Sequence, residues 1–445
     1  MKKLFSALLF PVYFVIIGSL LTASSAEAKS RWIGEISSTS LPSIMRDDEK
    51  DVVYLGDAQN KELIVIDSMQ ETVIDRIPVP SNNFSDMAMS KDNKTLAVAG
   101  GTVTLIDTET MAIKILNPGQ DIVSVAFDHK NNLYFTTSEY WGQIYYYDLV
   151  QDAIVHSFVP NKMVYRNALV KTDREGKILY VAERGLSPAS LYKFDVSGDE
   201  PVFVAEDDHG DLGSNLRDFV ISPDGNTIYV ACGAPYGIQV IDAETIERTA
   251  LLTTGAYPGG VALDKYGIYV YGLPSSAYNN ILYQFKADDG STTHSFKLLN
   301  TVLNGKSNIR GIAVDRAGQK AFIVHGDTSF SSPNLQVQVV DTEVNIYEDA
   351  IKKLEAEIEQ LKARIQELED FIASLLSKNQ QLLDENVSLK QENTDLQNQL
   401  NAKLQEITTL ELENKDLKSQ LEYKNRYIQA LLNYIQRLWD YIRQR

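Results

Sequence analysis

Short stretches in which apolar and polar residues alternate fill the first three-quarters of the chain and recur at a nearly constant interval. Each repeat contains an apolar run that ends in Asp and is followed by turn-forming residues. These aspartates are Asp67, Asp107, Asp148, Asp195, Asp242 and Asp341. Successive spacings are 40, 41, 47 and 47 residues, and a final interval of 99 residues spans two repeats, with Lys286 in the Asp position between them. This is the length of a four-stranded propeller blade.

A second β-rich run precedes each of these strands. The seven runs are residues 52–55, 95–99, 132–136, 178–182, 227–231, 267–271 and 320–324. Turn-forming residues stand before several of them, as in Ser222-Pro223-Asp224-Gly225. Seven occurrences predict an all-β, seven-bladed propeller over residues 29–345.

The seventh repeat ends after Asp341 without a fourth strand, because the sequence then changes to a helical pattern. Residues 29–43 contain a spare apolar strand. We therefore expect this N-terminal strand to become the outer strand of the last blade, so that both ends of the repeat region lock the ring.

From about Tyr347 onward the apolar period changes from 2 to 3.5 residues, and residues 346–445 are predicted to form a long coiled-coil helix. Isoleucines occupy one heptad position and leucines the position three residues later. The set comprises Ile351, Leu354, Ile358, Leu361, Ile365, Leu368, Ile428 and Ile435. A straight helix of this length would be roughly 140 Å long.

The choice of residues in this seam favours two parallel chains. Ile at position a with Leu at position d is typical of parallel dimers, and polar Asn at position a fixes the register. The asparagines are Asn379, Asn386, Asn393 and Asn414. Lys403 and Lys424 at position d leave a trimer as the alternative.

One part of the repeat region resembles the YVTN-type propeller repeat. The resemblance lies in the segment Ile228-Tyr229-Val230-Ala231, the strand that ends at Asp242 and the later segment Pro258-Gly259-Gly260-Val261-Ala262. The resemblance covers residues 32–345. It implies a propeller of the extracellular and surface-layer-like kind, similar to WD40 rings. It says little about activity, because such rings host lactonases, lyases, dehydrogenase subunits and passive binders.

Residues 1–28 read as a signal peptide. Lys2 and Lys3 precede an apolar stretch over residues 4–21, and Ala26-Glu27-Ala28 is a small-x-small cleavage site. We expect a secreted, periplasmic or cell-surface protein. The alternative is an uncleaved membrane anchor, since the apolar stretch is close to spanning length.

Net charge and cysteine content narrow the class of partner. The formal charge is −18, which repels nucleic-acid phosphates and anionic lipid over most of the surface. A single cysteine, Cys232, cannot form an internal disulfide. The remaining partners are a second copy of the chain and an envelope or extracellular protein or glycan.

Candidate chemistry concentrates at the start of the inner strands, where blade alignment superimposes one position. That position holds Ser85, Val123, Arg166, Arg217, Gly259 and Arg310. Three arginines would then converge on the channel mouth and bind a carboxylate, sulfate or phosphate. The alternative is that each arginine pairs with a neighbouring carboxylate, such as Asp218 or Glu183.

The corresponding position after the second strand offers acid–base groups. It holds Asp57, Gly100, Thr137, Glu183, Cys232, Gly272 and His325. Of these, Glu183 and His325 are the candidates for acid–base catalysis. No motif for a cofactor occurs, so none is expected. The loop with Asp207, Asp208 and Asp211 offers oxygen ligands for Ca²⁺, and a solvated turn is the alternative.

Tyr140 and Trp141 lie in a long loop between blade strands, where rim aromatics suit protein or glycan contact. The alternative is that these side chains fold back and cover the blade edges. The sequence as a whole favours an exported, non-enzymatic binding or scaffold protein that dimerises through its helix. One alternative is a lactonase-like hydrolase or lyase at the channel mouth. Another is an accessory subunit of a periplasmic redox enzyme.

Overall fold

A computed structural model describes most of the chain. The described residues are 30–36, 43–81, 83–119, 121–138, 143–160, 167–207, 210, 212–273, 280–299, 307–327 and 335–443. Residues 1–28, assigned to a signal peptide, lie outside this range. The protein has two compact units, Met1–Lys353 and Leu354–Arg445.

The described residues of the first unit form seven antiparallel sheets of four strands, which confirms the seven-bladed propeller. The first three blades consist, from the inner to the outer strand, of β2 (Ile44–Arg46), β3 (Val52–Asp57), β4 (Glu62–Asp67) and β5 (Thr72–Pro78); β6 (Asp86–Met89), β7 (Thr95–Gly100), β8 (Thr102–Asp107) and β9 (Ile113–Leu116); β10 (Ile122–Phe127), β11 (Leu133–Thr137), β12 (Ile144–Asp148) and β13 (Ala153–Phe158).

The remaining four blades follow the same order. They are β14 (Leu169–Thr172), β15 (Ile178–Ala182), β16 (Leu191–Asp195) and β17 (Val202–Glu206); β18 (Ser214–Ile221), β19 (Thr227–Ala234), β20 (Tyr236–Asp242) and β21 (Arg248–Thr253); β22 (Gly260–Leu263), β23 (Tyr269–Leu273), β24 (Ile281–Lys286) and β25 (Thr292–Lys297); β26 (Ser307–Val314), β27 (Lys320–Asp327), β28 (Leu335–Asp341) and β1 (Arg31–Ile36). We call the face at which inner strands begin the upper face, and the face with the turns between first and second strands the lower face.

The aspartate that ends most third strands has a local structural role. Its carboxylate accepts hydrogen bonds from the backbone amides two and three residues later, as Asp67 Oδ1 does from Met69 (2.9 Å) and Gln70 (2.8 Å). The same pattern occurs at Asp107, Asp148 and Asp242. These hydrogen bonds hold the pKa of all three carboxyls below the ordinary value. The repeated Asp therefore fixes the turn into the outer strand.

Adjacent blades share the hydrophobic core. Tyr180 and Leu191 of the fourth blade pack in one cluster with Phe219 and Val230 of the fifth. The cluster between the first and seventh blades combines Val53, Leu55 and Ile64 with Phe322, Val324 and Val339. Because every blade is buried against its neighbours, the ring is stable only when the last blade also meets the first.

The seventh blade receives its outer strand from the N-terminal end of the chain. β1 pairs with β28 in antiparallel register, with Arg31 opposite Val339 and Ile36 opposite Leu335. The Arg31 guanidinium donates two hydrogen bonds of 3.1 Å to the Asp341 carboxylate and also binds Glu71 of the first blade. This side chain therefore links the closing strand to both blades that it joins.

A single helix, α1 (Ile346–Arg443), follows the propeller. Asn345 caps it, since its side-chain oxygen accepts from the amide of Glu348 at 3.4 Å. Ile346 is fully buried among propeller residues and packs on Gly318, whose φ of +70° suits glycine. Tyr269 donates a 2.9 Å hydrogen bond to Asp349. The first helical turn is therefore part of the propeller unit.

We expect E71Q to lower the free energy of unfolding by about 1–2 kcal/mol at neutral pH, because Glu71 pairs with Arg31 and, at 2.9 Å, with Lys320. Those cations hold the Glu71 pKa below its usual 4.5. The difference from wild type is therefore complete above pH 4.5 and shrinks as the pH falls below it. Denaturant titration measures it.

The control is E109Q, in the corresponding turn of the second blade. Glu109 is exposed, and none of the described residues forms an ion pair with its side chain. If E71Q and E109Q lowered the free energy of unfolding equally, the ion pairs of Glu71 with Arg31 and Lys320 would not stabilise ring closure.

Candidate functional site

A cavity of about 1140 Å³ runs along the centre of the ring. Residues from the inner strands of all seven blades line it, including Met45, Met87, Val125, Val170 and Val261. Its volume matches that of a site for a small molecule. The cavity is therefore the place where the propeller brings side chains from different blades together.

The aligned position at the start of the inner strands coincides with backbone bulges. Strand pairing shifts register around Val123 in β10, around Arg217 in β18 and around Arg310 in β26. A bulge redirects the side chain at the extra residue. Four residues of the predicted set line the cavity, namely Ser85, Val123, Arg217 and Gly259. Arg166 and the Arg310 side chain lie outside the described residues.

Arg217 is exposed in the cavity and does not pair with the adjacent carboxylate. Asp218 instead accepts a 2.8 Å hydrogen bond from Lys171 Nζ, which also binds the carbonyl of Phe219. Within the described part of the chain, no ion pair or hydrogen bond involves the Arg217 guanidinium. The pairing of Arg217 with Asp218, considered from the sequence, is therefore not present.

Arg184 stands beside Arg217 on the same face. It follows β15, and the loop that carries it is tied to β18 by two backbone hydrogen bonds, from Gly185 N to Leu216 O (3.2 Å) and from Asn215 N to Leu186 O (2.7 Å). Arg184 lines the cavity and is half-buried. The sequence analysis missed it because its proximity to Arg217 depends on contact between the fourth and fifth blades.

Two acidic residues of the cavity, Asp86 and Asp218, accept hydrogen bonds from other side chains. Asp86 accepts hydrogen bonds from Ser124 Oγ and, at 3.3 Å, from the amide of Val125. Burial raises its pKa, while Lys171 and Arg184 act in the opposite direction. Asp86, Lys171 and Asp218 thus connect the inner strands of four blades through charge and hydrogen bonding.

Glu183 and His325, the predicted acid–base candidates, are buried in the protein. Their exposed fractions are 3% and 1%, and neither lines the described cavity. The same holds for the other residues at this aligned position, Asp57, Gly100, Thr137, Cys232 and Gly272. Burial raises the pKa of the Cys232 thiol to about 12. This ring of positions packs blades together.

Several predicted loop residues lie outside the described residues. They are Tyr140, Trp141, Asp208 and Asp211. Asp207 is described, half-buried, and follows β17. Within the described ranges, no group of three or more His, Cys, Asp or Glu side chains has a geometry for binding a metal ion.

The predicted oligomerisation residues all lie on α1, and each has an exposed side chain. Exposed fractions are 56% for Ile351, 63% for Leu361 and 51% for Ile435. Lys362 and Arg364 form ion pairs within the helix, with Glu359 and Glu367. A long stripe of Ile and Leu, interrupted by Asn at four a positions and by Lys at two d positions, is therefore exposed on a single chain.

Comparison with known proteins gives no assignment, since no family model and no curated protein matches this chain. Among the described helices, none has the length and hydropathy needed to cross a membrane. The fold itself defines the class, a seven-bladed β-propeller followed by a long helix.

His325 makes the stability of the ring pH-dependent. Burial lowers its pKa from 6.5 to about 4, although contact with Gln338 acts in the opposite direction. The stabilisation is complete above pH 6.5 and is lost as the pH falls towards 4, because the unfolded chain binds the proton first. The loss attributable to this residue is about 3 kcal/mol at most.

When the pH is lowered from 6.5 towards 4, we therefore expect the free energy of unfolding to fall less for H325Q than for the wild type. This holds whatever the stability of H325Q at neutral pH. Denaturant titrations at several pH values between 7 and 4 measure the difference. Parallel pH profiles for the two proteins would contradict the assignment of this effect to His325.

Proposed function

We propose that the chain is an exported binding or scaffold protein, in which the helix joins two copies as a parallel coiled coil and the upper face of the propeller recognises a ligand or partner. The observation that carries the proposal is the exposed apolar stripe along α1. Soluble monomers rarely expose a large continuous apolar surface. A second copy of the chain is the occupant best matched to this stripe.

Self-complementarity supports this choice of partner. In a parallel, in-register dimer, position g of one chain faces the next position e of the other. Glu406 would face Glu411, which is a repulsive pair. Four other facing pairs would join opposite charges, namely Glu357 with Lys362, Arg364 with Glu369, Glu385 with Lys390 and Glu413 with Lys418. Such pairs select orientation and register, whereas the Ile and Leu layers supply most of the association energy.

The propeller contributes recognition in this proposal. Its cavity collects side chains from seven strands, and the upper face receives both the starts of the inner strands and the loops after the second strands. Pairing two such rings raises the apparent affinity for a repeated or surface-bound ligand. The resemblance to YVTN-type repeats and the pattern of residues 1–28 support export.

Light scattering tests the dimer. The protein without residues 1–28 is expected to have the mass of two chains, and I365D/I372D that of one. The substitutions remove four Ile side chains per dimer from the seam, worth more than about 4 kcal/mol in total, so the dissociation constant should rise at least about a thousandfold.

The matched control is A363D/S377D, which adds the same charge at exposed positions on the outer side of the helix. This variant should keep the mass of two chains. A monomeric wild-type protein would refute the proposal, and a mass of three chains would replace the dimer with the trimer.

Cross-linking tests the orientation. In a parallel, in-register dimer the two copies of residue 386 face each other, so N386C should form an interchain disulfide under mild oxidation. Q391C, on the outer side of the helix, is the control and should remain reduced. The native Cys232 is fully buried and does not interfere. Equal cross-linking of both variants, or none of N386C, would contradict parallel pairing.

A further inference from the structure

We propose that Arg184 and Arg217 together bind the carboxylate or phosphate group of a small molecule at the upper end of the central cavity. The inference rests on the proposed role of the propeller in recognition. It adds the chemical class of the ligand and assigns a role to Arg184, which the sequence pattern did not single out.

The backbone holds the two arginines on adjacent segments. The hydrogen bonds from Gly185 to Leu216 and from Asn215 to Leu186 fix the loop after β15 against the start of β18. Arg217 occupies the bulged position of that strand. Both residues line the same cavity. Two planar guanidinium groups on a fixed backbone suit an oxyanion, because each can donate two parallel hydrogen bonds.

Both arginines lack a protein partner among the residues that the structure describes. The Nε atom of Arg184 is buried and has no hydrogen-bond acceptor there. Two other cations of the cavity, Arg46 and Lys91, have partners within the protein. Arg46 binds Asp48 at 2.6 Å, and Lys91 binds Thr172 and the carbonyl of Asp173, each at 2.7 Å. A buried donor without an acceptor is costly, and an anionic ligand would remove that cost.

Three nearby carboxylates accept hydrogen bonds from other residues, although Asp86 also interacts electrostatically with Arg184. Asp218 is bound to Lys171, Asp86 to Ser124, and Asp121 accepts a 2.7 Å hydrogen bond from Ser138. Within the described residues, neither arginine forms a hydrogen bond or a close ion pair with a carboxylate, so both guanidinium groups keep free donors for an anion.

The balance of charge in the cavity differs from that of the whole chain. Its described lining contains seven Lys or Arg residues and six Asp residues, whereas the chain has 42 basic and 60 acidic residues. The cavity therefore lacks the excess of negative charge that the rest of the chain carries, so it repels an anion less than the outer surface does. The volume of about 1140 Å³ leaves room for a small molecule.

Isothermal titration calorimetry of the full mature chain tests the site, with inorganic phosphate and citrate as probes at constant ionic strength. We expect saturable binding of at least one probe at one site per chain. R184A and R217A should each weaken it roughly tenfold or more. R217K keeps the positive charge but lacks the two parallel N–H donors of a guanidinium group. It should therefore bind the probe more weakly than the wild type does.

The matched control is R174A. Arg174 lines the same cavity at the lower face and has no ion pair with any described residue, so its removal changes the cavity charge by the same amount. Binding should change by less than about twofold. The inference is overturned if R174A weakens binding as much as R217A, or if wild type binds neither probe. A dimeric protein that binds neither probe contradicts this site and leaves the proposed dimer standing.

Discussion

Pairing of β1 with β28 is the interaction on which the propeller depends. Each blade buries its faces against two neighbours, so an incomplete seventh blade would leave two blades with exposed core surfaces. Arg31 strengthens this closure, because it binds Asp341 of the seventh blade and Glu71 of the first. Once the ring is closed, seven inner strands enclose a cavity whose side chains are held in place by the packing around them.

The closed ring also determines the electrostatics of the cavity. Lys171 reaches from the fourth blade to Asp218 of the fifth, and this pairing leaves Arg217 without its nearest carboxylate. The contact between the same two blades places Arg184 beside it. Two arginines without a hydrogen-bond partner among the described residues therefore lie on adjacent segments at the upper end of the cavity. Residues 354–443 of the helix belong to a separate unit, whose exposed apolar stripe would be covered by a second copy of the chain in the proposed dimer.

The repeat pattern was sufficient to predict the ring, because a local feature recurs in each blade. Asp67 and its equivalents accept amide hydrogen bonds from their own turns, so they mark the third strand in sequence. The spare strand at residues 29–43 contains the observed β1. Only four residues separate the end of β28 from the beginning of α1. The single change in apolar period along the sequence therefore marked both the end of β28 and the start of the helix.

The site was only partly predictable, because its geometry depends on contacts between blades. Blade alignment identified Arg217, which lines the cavity. The same alignment grouped Glu183 and His325 with the channel, although both side chains are buried and neither lines the described cavity. The partner of Asp218 and the position of Arg184 follow from distances between strands that are remote in sequence. No spacing along one blade contains that information.

Native-state hydrogen exchange of β1 and β28 tests ring closure most directly. If the N-terminal strand completes the seventh blade, the amides of residues 31–36 that pair with β28 should exchange only through global unfolding, at the same free energy as those of β27. Exchange of β1 at a much lower free energy than β27, with the rest of the ring still protected, would contradict the account.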